Sequence, residues 1–188
     1  MSAAVCVQHS LSRLLRVTLC VSVWVPLFVT NRIAAQTGLE YEVKAAFLLN
    51  FTRFTEWPAS AFADPASPIA ICILGHDPFG RALDDIIQGE QVNGRKLLVR
   101  RMNQVPPPQA CQAIFIGNGE RDVPRILNGL DGGTLTVSEG EDFIREGGMI
   151  AFIIDNRRVR FDINQTAAEK AGLKLSSRLL SVARSVKR

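Results

Sequence analysis

The chain has 188 residues and a formal net charge of +4, but the excess charge lies in its first 35 residues, which contain three arginines and no acid. Residues 36–188 carry 19 basic and 18 acidic side chains, a near-neutral balance that gives no support for a nucleic-acid-binding protein. About 150 residues can bury one hydrophobic core and are too few for two.

The first 35 residues have the layout of a secretory signal peptide. Two arginines precede an apolar run at 17–29, which is short for a membrane span, and a pair of small residues ends the segment at Ala35. Pro26 interrupts the apolar run, which favours cleavage after Ala35 over the alternative of an uncleaved N-terminal anchor. We therefore expect an exported protein whose mature chain, residues 36–188, forms a single domain.

The predicted elements begin with an amphipathic helix. Apolar residues recur at four-residue spacing from Leu39 to Phe51, and Trp57-Pro58 ends the helical pattern. After a loop, Ile69–Leu74 is a continuous apolar run rich in β-branched residues, which is typical of a strand buried on both faces. Asp77-Pro78 then predicts the cap and first turn of a second helix.

The rest of the chain alternates strands with helices. Further strands are predicted at Lys96–Arg101, Ala113–Ile116 and Leu135–Val137, and further helices at Val123–Leu130 and Glu141–Arg145. The runs at 149–155 and 158–164 flank Asn156-Arg157 and predict a β-hairpin. A capping box at Thr166–Glu169 predicts a short helix, and Ser176 or Ser177 caps a last helix that extends to Val186. The pattern predicts an α/β fold, a mixed sheet with helices on both faces.

Two glycine-rich turns invite a ligand-binding interpretation but lack the residues that it requires. The turn at 75–80 has the glycine spacing of a phosphate loop without the Lys and Ser/Thr that follow in such loops. Gly117-Asn118-Gly119 begins like a dinucleotide fingerprint, but Asp122 replaces its third glycine. Tight turns between strands and helices explain these glycines. A crevice near Gly75 and Gly117 stays open as the site of a small-molecule-binding alternative.

The chain shows no catalytic or metal-binding constellation. His76 is followed by Asp77, but neighbours at a turn are poorly placed to hydrogen-bond, and no G-x-S-x-G nucleophile motif occurs. One histidine and two distant cysteines in the mature chain do not match the spacing of a metal site. We predict no catalytic residue, no metal and no cofactor. An enzyme built on His76 is the remaining alternative of that class.

Cys72 and Cys111 are the two cysteines of the mature chain, and an even pair in an exported protein indicates a disulfide. Cys72 lies inside the first predicted strand, and Cys111 precedes the strand expected beside it. A bond that closes about 40 residues stabilises a fold by roughly 4 kcal/mol on the chain-entropy model. The first interpretation is a structural staple, and the second is a redox-responsive staple that changes the affinity for a partner.

Four residues are candidates for contact with a protein partner. Trp57 ends the first helix beside a Pro-punctuated loop, and aromatic residues dominate interface hot spots, although most such residues belong to a core. The same two interpretations apply to the neighbouring Glu56 and to Arg160 and Phe161 on the flank of the hairpin.

The chain resembles the YfiR family of periplasmic proteins over residues 40–186, in five ordered motifs: VKAAFLLNFTRFTEWP, ICILGHDPFG, CQAIFIG, GGMIAFIIDNRRVRFDIN and AGLKLSSRLLSVAR. The resemblance implies a Rossmann-like α/β domain without enzyme activity, often found as a homodimer. The best-known family role is to bind the periplasmic sensor domain of an inner-membrane diguanylate cyclase and hold it inactive, which restrains cyclic di-GMP signalling and biofilm formation.

The resemblance also implies details of the cysteines and the partner. Cys72 and Cys111 occupy positions where a family disulfide is found, whereas a second disulfide of some members has no counterpart in this chain. Members of the family also occur beside sensor kinases, so a diguanylate cyclase is the expected partner and a sensor kinase the alternative.

Overall fold

The computed structural model describes residues 38–188, and the predicted signal peptide lies outside them. The strands are β1 (Thr55–Glu56), β2 (Ile69–Leu74), β3 (Gln91–Val92), β4 (Arg95–Met102), β5 (Ala113–Ile116), β6 (Leu135–Glu139), β7 (Ile150–Asp155), β8 (Arg158–Asn164), β9 (Lys174–Leu175) and β10 (Ser185–Lys187). The α-helices are α1 (38–53), α2 (Arg81–Ile87), α3 (Val123–Asn128), α4 (Glu141–Arg145), α5 (Gln165–Lys170) and α6 (Ser177–Val182). None of the helices described is long and apolar enough to cross a membrane.

Eight of the strands form one mixed sheet in the order β10-β8-β7-β6-β5-β2-β4-β3. Strands β4, β2, β5, β6 and β7 are parallel, and β8 returns antiparallel to β7. Taken in chain order, the five parallel strands follow the doubly wound pattern 2-1-3-4-5. The short strands β1 and β9 pair separately. The predicted α/β fold with a mixed sheet is confirmed.

The two faces of the sheet carry separate helices and separate parts of the core. Alternate side chains of a strand point to opposite faces, so Ile71 and Ile73 of β2 lie on one face and Cys72 lies on the other. The first face packs against α1, α2, α5 and α6, and the second against α3 and α4. Helices on both faces were predicted, and that prediction is confirmed.

The predicted β-hairpin is confirmed and extends beyond the strands on either side of it. Asn156 and Arg157 both have positive φ, 49° and 60°, as a type I′ turn requires. Strand β6 pairs with β7 only up to Phe152, and β10 pairs with β8 only from Asp162 onward. The outer half of the hairpin, residues 153–160, therefore has no flanking strand among the residues described; we name it the hairpin arm.

Two predicted helix caps were wrong, because Asp77 stabilises the turn before α2 and Asn164 takes the place of Thr166 at the start of α5. The Asp77 carboxylate accepts hydrogen bonds from the next two turn N–H groups, at 2.8 and 3.2 Å, and α2 begins only at Arg81. Thr166 lies inside α5, which is capped by Asn164 through a 3.0 Å hydrogen bond from the Ala167 N–H. Neither helix therefore begins at the residue that the sequence predicted.

The prediction of a last helix through Val186 was also wrong, because the end of the chain joins the sheet. Helix α6 is capped by Ser176, as predicted, but ends at Val182. The Arg184 N–H then donates to the Phe161 carbonyl at 2.8 Å, and Ser185–Lys187 pairs with β8 as the edge strand β10. Strand pairing thus overrides the helical pattern of the apolar residues.

Candidate functional site

Trp57 is tied to the start of β5 by its polar atom. Its indole Nε1–H donates to the Gln112 carbonyl at 3.0 Å, and its ring is half-buried against the core on the first face of the sheet. A tryptophan with a satisfied N–H and a partly buried ring holds the segment between α1 and β2 in place. Its neighbour Glu56 is exposed and lies opposite Lys174 in the β1–β9 pair.

Gln112 organises the same region and was not singled out from the sequence. Its side chain is 2 % exposed, and its Oε1 accepts from the Ala70 N–H at 2.8 Å. Its Nε2 donates to the Ala61 carbonyl at 2.7 Å. One buried amide therefore joins the loop after Trp57, the start of β2 and the start of β5. The only feature of the sequence that could have indicated this role was a single glutamine directly before an apolar strand.

The predicted disulfide between Cys72 and Cys111 is present. The two Cα atoms are 5.8 Å apart, and the bond joins residues separated by 39 positions. Cys72 is fully buried and Cys111 is 3 % exposed. Because the bond lies in the core on the second face of the sheet, its position favours a structural staple over a bond that responds readily to solution thiols.

The hairpin candidates have opposite exposures. Arg160 is exposed on β8. Phe161 is 2 % exposed, and its ring centroid lies 5.0 Å from that of Phe51 on α1. The Phe161 side chain therefore belongs to the aromatic core that holds α1 on the sheet. It offers no surface to a partner in this fold, because its alternating position directs it inward while Arg160 points outward.

The remaining candidates do not form one surface. Glu56 and Trp57 lie at the edge where the parallel strands begin, since Trp57 bonds to the residue before β5. Arg160 pairs with Ile153, toward the end of β7, and thus lies near the opposite edge of the sheet. The sequence suggested these residues by their type alone. Residue type carries no information about the end of the sheet at which each residue lies.

The crevice expected between Gly75 and Gly117 is filled by the protein itself. A Cβ on Gly117 would lie 2.5 Å from the His76 carbonyl oxygen, and one on Gly75 would collide with the Glu120 carboxylate. These glycines permit close packing of the two turns. An open groove of about 630 Å³ lies beside them against α3, lined by side chains such as Asn103 and Arg121. Within residues 38–188 no cluster of three or more potential metal ligands occurs.

A buried charge cluster at the carboxyl edge of the sheet fixes α1 in place. Lys44 is 3 % exposed; its Nζ pairs with Glu40 and lies 2.5 Å from Glu139 Oε1 at the end of β6. The same ammonium lies 4.4 Å from the centroid of the Tyr41 ring. Burial, followed by the charge of Glu139, raises the pKa of Tyr41 to about 12. The sequence feature that could have indicated this cluster was a lysine within the apolar stripe of the helix. It was not identified from the sequence.

The arginines near the hairpin fall into two classes. Arg184 binds Asp162 through two hydrogen bonds of 2.8 and 2.5 Å and reaches Glu141 at 2.6 Å. Its hydrogen bonds, first with Asp162 and then with Glu141, raise the pKa of Arg184. Arg157, Arg158 and Arg160 form no ion pair within residues 38–188, and residues 1–37 contain no acidic side chain. Among the residues described, no acidic side chain pairs with the guanidinium groups of these three arginines.

Comparison with known proteins identifies the family of the chain. The model of the YfiR/HmsC-like family matches residues 41–184, from the first turn of α1 to the segment before β10. A search of curated protein sequences gave no match. Because the family model covers well over half of the chain, the protein belongs to the YfiR/HmsC-like family.

Proposed function

We propose that this YfiR/HmsC-like protein is a periplasmic regulator that binds the sensor domain of an inner-membrane diguanylate cyclase and holds the cyclase inactive. Lower cyclic di-GMP and reduced biofilm formation would follow. The observation that carries the proposal is the family match over residues 41–184. The buried Cys72–Cys111 disulfide supports an oxidising compartment, where such bonds form and persist.

The proposed mechanism is contact, with no catalytic step. A repressor can shift a two-state enzyme only by binding its inactive state more tightly than its active state. Moving a cyclase from about 99 % active to about 99 % inactive requires a preference of about 10⁴-fold. A rigid binding protein suits this role, and two features support rigidity: the disulfide between β2 and the segment before β5, and the Lys44 cluster that fixes α1.

A small-molecule-binding role has less support from the geometry. The space between Gly75 and Gly117 is occupied by backbone and by the Glu120 side chain. The open groove beside α3 is lined by exposed side chains such as Arg121 and Arg125, and no buried polar side chain of residues 38–188 lines it. The proposal therefore gives this groove and the exposed His76 no role.

The test combines deletion with capture. Deleting the gene should raise cellular cyclic di-GMP, and restoring the full chain should lower it. Crosslinking in cells should then capture an inner-membrane protein that carries a periplasmic sensor domain and a cyclase domain. Capture of a sensor kinase with unchanged cyclic di-GMP would reassign the protein to another pathway. Unchanged cyclic di-GMP without any captured membrane protein would overturn the proposal.

A further inference from the structure

We propose that the hairpin arm, residues 153–160, is the surface that contacts the partner. It fits a protein surface that presents carboxylates to the arginines of the arm and an apolar contact to Ile154. This inference rests on the proposed function, since it names the contact surface of the same regulator.

The arm is rigid and accessible. Its two strands are joined by three cross-strand pairs, Ile153 with Arg160, Ile154 with Val159 and Asp155 with Arg158. Its base is fixed below by the cross-strand pair of Phe152 and Phe161, whose rings pack against α1. No strand of residues 38–188 flanks the arm on either side. A preorganised projection of this kind loses little conformational entropy when it binds.

One face of the arm and its tip carry three arginines that form no ion pair within residues 38–188, although Asp155 lies across from Arg158 on that face. Arg158 and Arg160 share a face because they are two residues apart on one strand, and Arg157 occupies the turn. The one acid of the arm, Asp155, accepts a 3.1 Å hydrogen bond from Asn156 and forms no ion pair within residues 38–188. A guanidinium offers donors in a planar fork that matches a carboxylate. Three such groups within four residues predict an acidic partner surface.

The opposite face of the arm is apolar. Ile154 is 52 % exposed and lies across from Val159, which is half-buried and packs against the core. Protein interfaces combine an apolar contact that becomes buried with a charged or polar rim. The arm carries both parts within eight residues. Its partner should therefore have an apolar patch beside its acidic groups.

The turn of the arm keeps an arginine where glycine would fit better. Arg157 has φ of 60°, a left-handed conformation that costs an ordinary residue roughly 1–2 kcal/mol and that glycine adopts freely. A residue kept in such a conformation suggests a role beyond folding. Here the role is to place a positive charge at the outermost point of the arm.

A protein partner fits the arm better than an anionic membrane does. Helix α4 packs against β7 and β8 on the face that bears Arg158 and Arg160, and its first turn carries Glu141 and Asp142. Those carboxylates pair with Arg184 and Arg145, so this helix offers no excess of positive charge to a flat anionic bilayer that approached the face, and the positive charge is confined to the arm. A protein surface can place its charges locally and contact the arm alone.

The test measures affinity for the purified sensor domain of the cyclase captured by crosslinking. The mature chain is titrated with this domain by calorimetry at 50 and 300 mM NaCl. The arm variant carries Arg157→Glu, Arg158→Glu and Arg160→Glu. The matched control carries Arg121→Glu, Arg125→Glu and Arg178→Glu, which reverse three other exposed arginines and change the net charge equally.

We expect the arm variant to lose affinity by about 100-fold or more and to lose most of its salt dependence, with the control within about threefold of the unmodified chain. Equal losses in both variants, or full affinity of the arm variant, would overturn the arm as the contact and leave the proposed function standing. If the unmodified chain does not bind the sensor domain at all, the proposed function fails, and the inference fails with it.

Two further measurements separate a lost contact from unfolding of the variant and from lipid binding. The urea unfolding midpoints of both variants should match that of the unmodified chain. If the reversed charges unfold the arm variant, a variant with Arg158→Gln and Arg160→Gln replaces it. This variant is expected to lose about tenfold in affinity for the sensor domain. Cosedimentation with phosphatidylglycerol vesicles tests the membrane. Vesicle binding that the arm variant alone loses, with its affinity for the sensor domain unchanged, would overturn the inference in favour of a lipid contact.

Discussion

Trp57 and Arg160 were equal candidates for partner contact, and the structure separates them by how their polar atoms are satisfied. The Trp57 indole N–H is hydrogen-bonded within the chain, at the edge of the sheet where the strands begin. Arg160 lies on the hairpin arm and forms no ion pair within residues 38–188. A side chain whose polar atoms are satisfied internally contributes to stability, whereas one with unmet donors is available for binding. Substitutions at the two regions should therefore affect different measurements.

The largest effect on stability is expected from the disulfide between β2 and the segment before β5. Replacing both Cys72 and Cys111 with alanine should lower the free energy of unfolding by about 4 kcal/mol, since the bond restrains a loop of 39 positions in the unfolded chain. Urea titration of the oxidised protein measures this loss. As a control, dithiothreitol should destabilise the unmodified chain by a similar amount and leave the double variant unchanged. A loss below about 1 kcal/mol would contradict the staple.

Gln112→Leu should cost about 2 kcal/mol, because the Ala70 N–H and the Ala61 carbonyl would lose their buried partner. The matched control is Gln88→Leu at an exposed position, which should change the free energy of unfolding by less than about 0.5 kcal/mol. Equal effects of the two substitutions, measured by urea unfolding, would show that the buried amide does not organise this region.

Trp57→Phe keeps an aromatic ring and removes the donor to Gln112, so the free energy of unfolding should fall by about 1 kcal/mol. The Gln112 carbonyl keeps its 2.8 Å hydrogen bond from the Leu135 N–H, which limits the loss. Affinity for the sensor domain should stay within about twofold of that of the unmodified chain. The Glu56→Gln variant should also keep its affinity within about twofold. A larger loss of affinity in either variant would place Glu56 and Trp57 in the interface together with the hairpin arm.

Arg157→Gly should raise stability and lower affinity together. Glycine relieves the left-handed conformation at φ of 60° at the cost of a freer unfolded chain, so we expect a net gain of about 0.5 kcal/mol. Affinity for the sensor domain should fall about fivefold through the lost charge. Urea unfolding and calorimetry on the same preparation measure both changes. Unchanged affinity would remove the tip of the arm from the contact.

The smallest effect on stability is expected at Arg101, which is paired with carboxylates, in contrast to the arginines of the hairpin arm. The hydrogen bond from Arg101, together with its charge, lowers the pKa of Asp84 in the folded protein. Stability from this pair is therefore present above the unfolded pKa of Asp84 and is lost as pH falls through the folded value. Asp84→Asn should cost about 0.3 kcal/mol at pH 7, because the pair is exposed, and nothing below the folded pKa. Urea unfolding at a series of pH values from 7 downward tests this; a loss that stays constant as the pH falls would contradict it.

Much of the scaffold could be predicted because its signals are local. The apolar runs of β2 and β5 predict buried strands, Asn156-Arg157 between two alternating runs predicts the hairpin, and an even pair of cysteines in an exported chain predicts the disulfide. Each of these inferences depends on neighbouring residues or on composition. The bounds of β2 and β5 agree with the structure to the residue.

The candidate site could be predicted only in part, because it depends on contacts between distant segments. Phe161 and Arg160 are neighbours, yet only packing against α1 makes one of them core and leaves the other on the surface. The internal hydrogen bond of Trp57 joins residues 55 positions apart, which no local pattern contains.

The sequence alone determined the fold class, the positions of the main strands along the chain and the pairing of the two cysteines, since hydrophobic periodicity and turn chemistry act over a few residues. Tertiary structure alone decided that the end of the chain becomes β10, that Lys44 is buried, and that residues 153–160 project beyond the flanking strands. Strand pairing and burial join segments far apart in the chain, and their free energies override the local preferences of the residues involved.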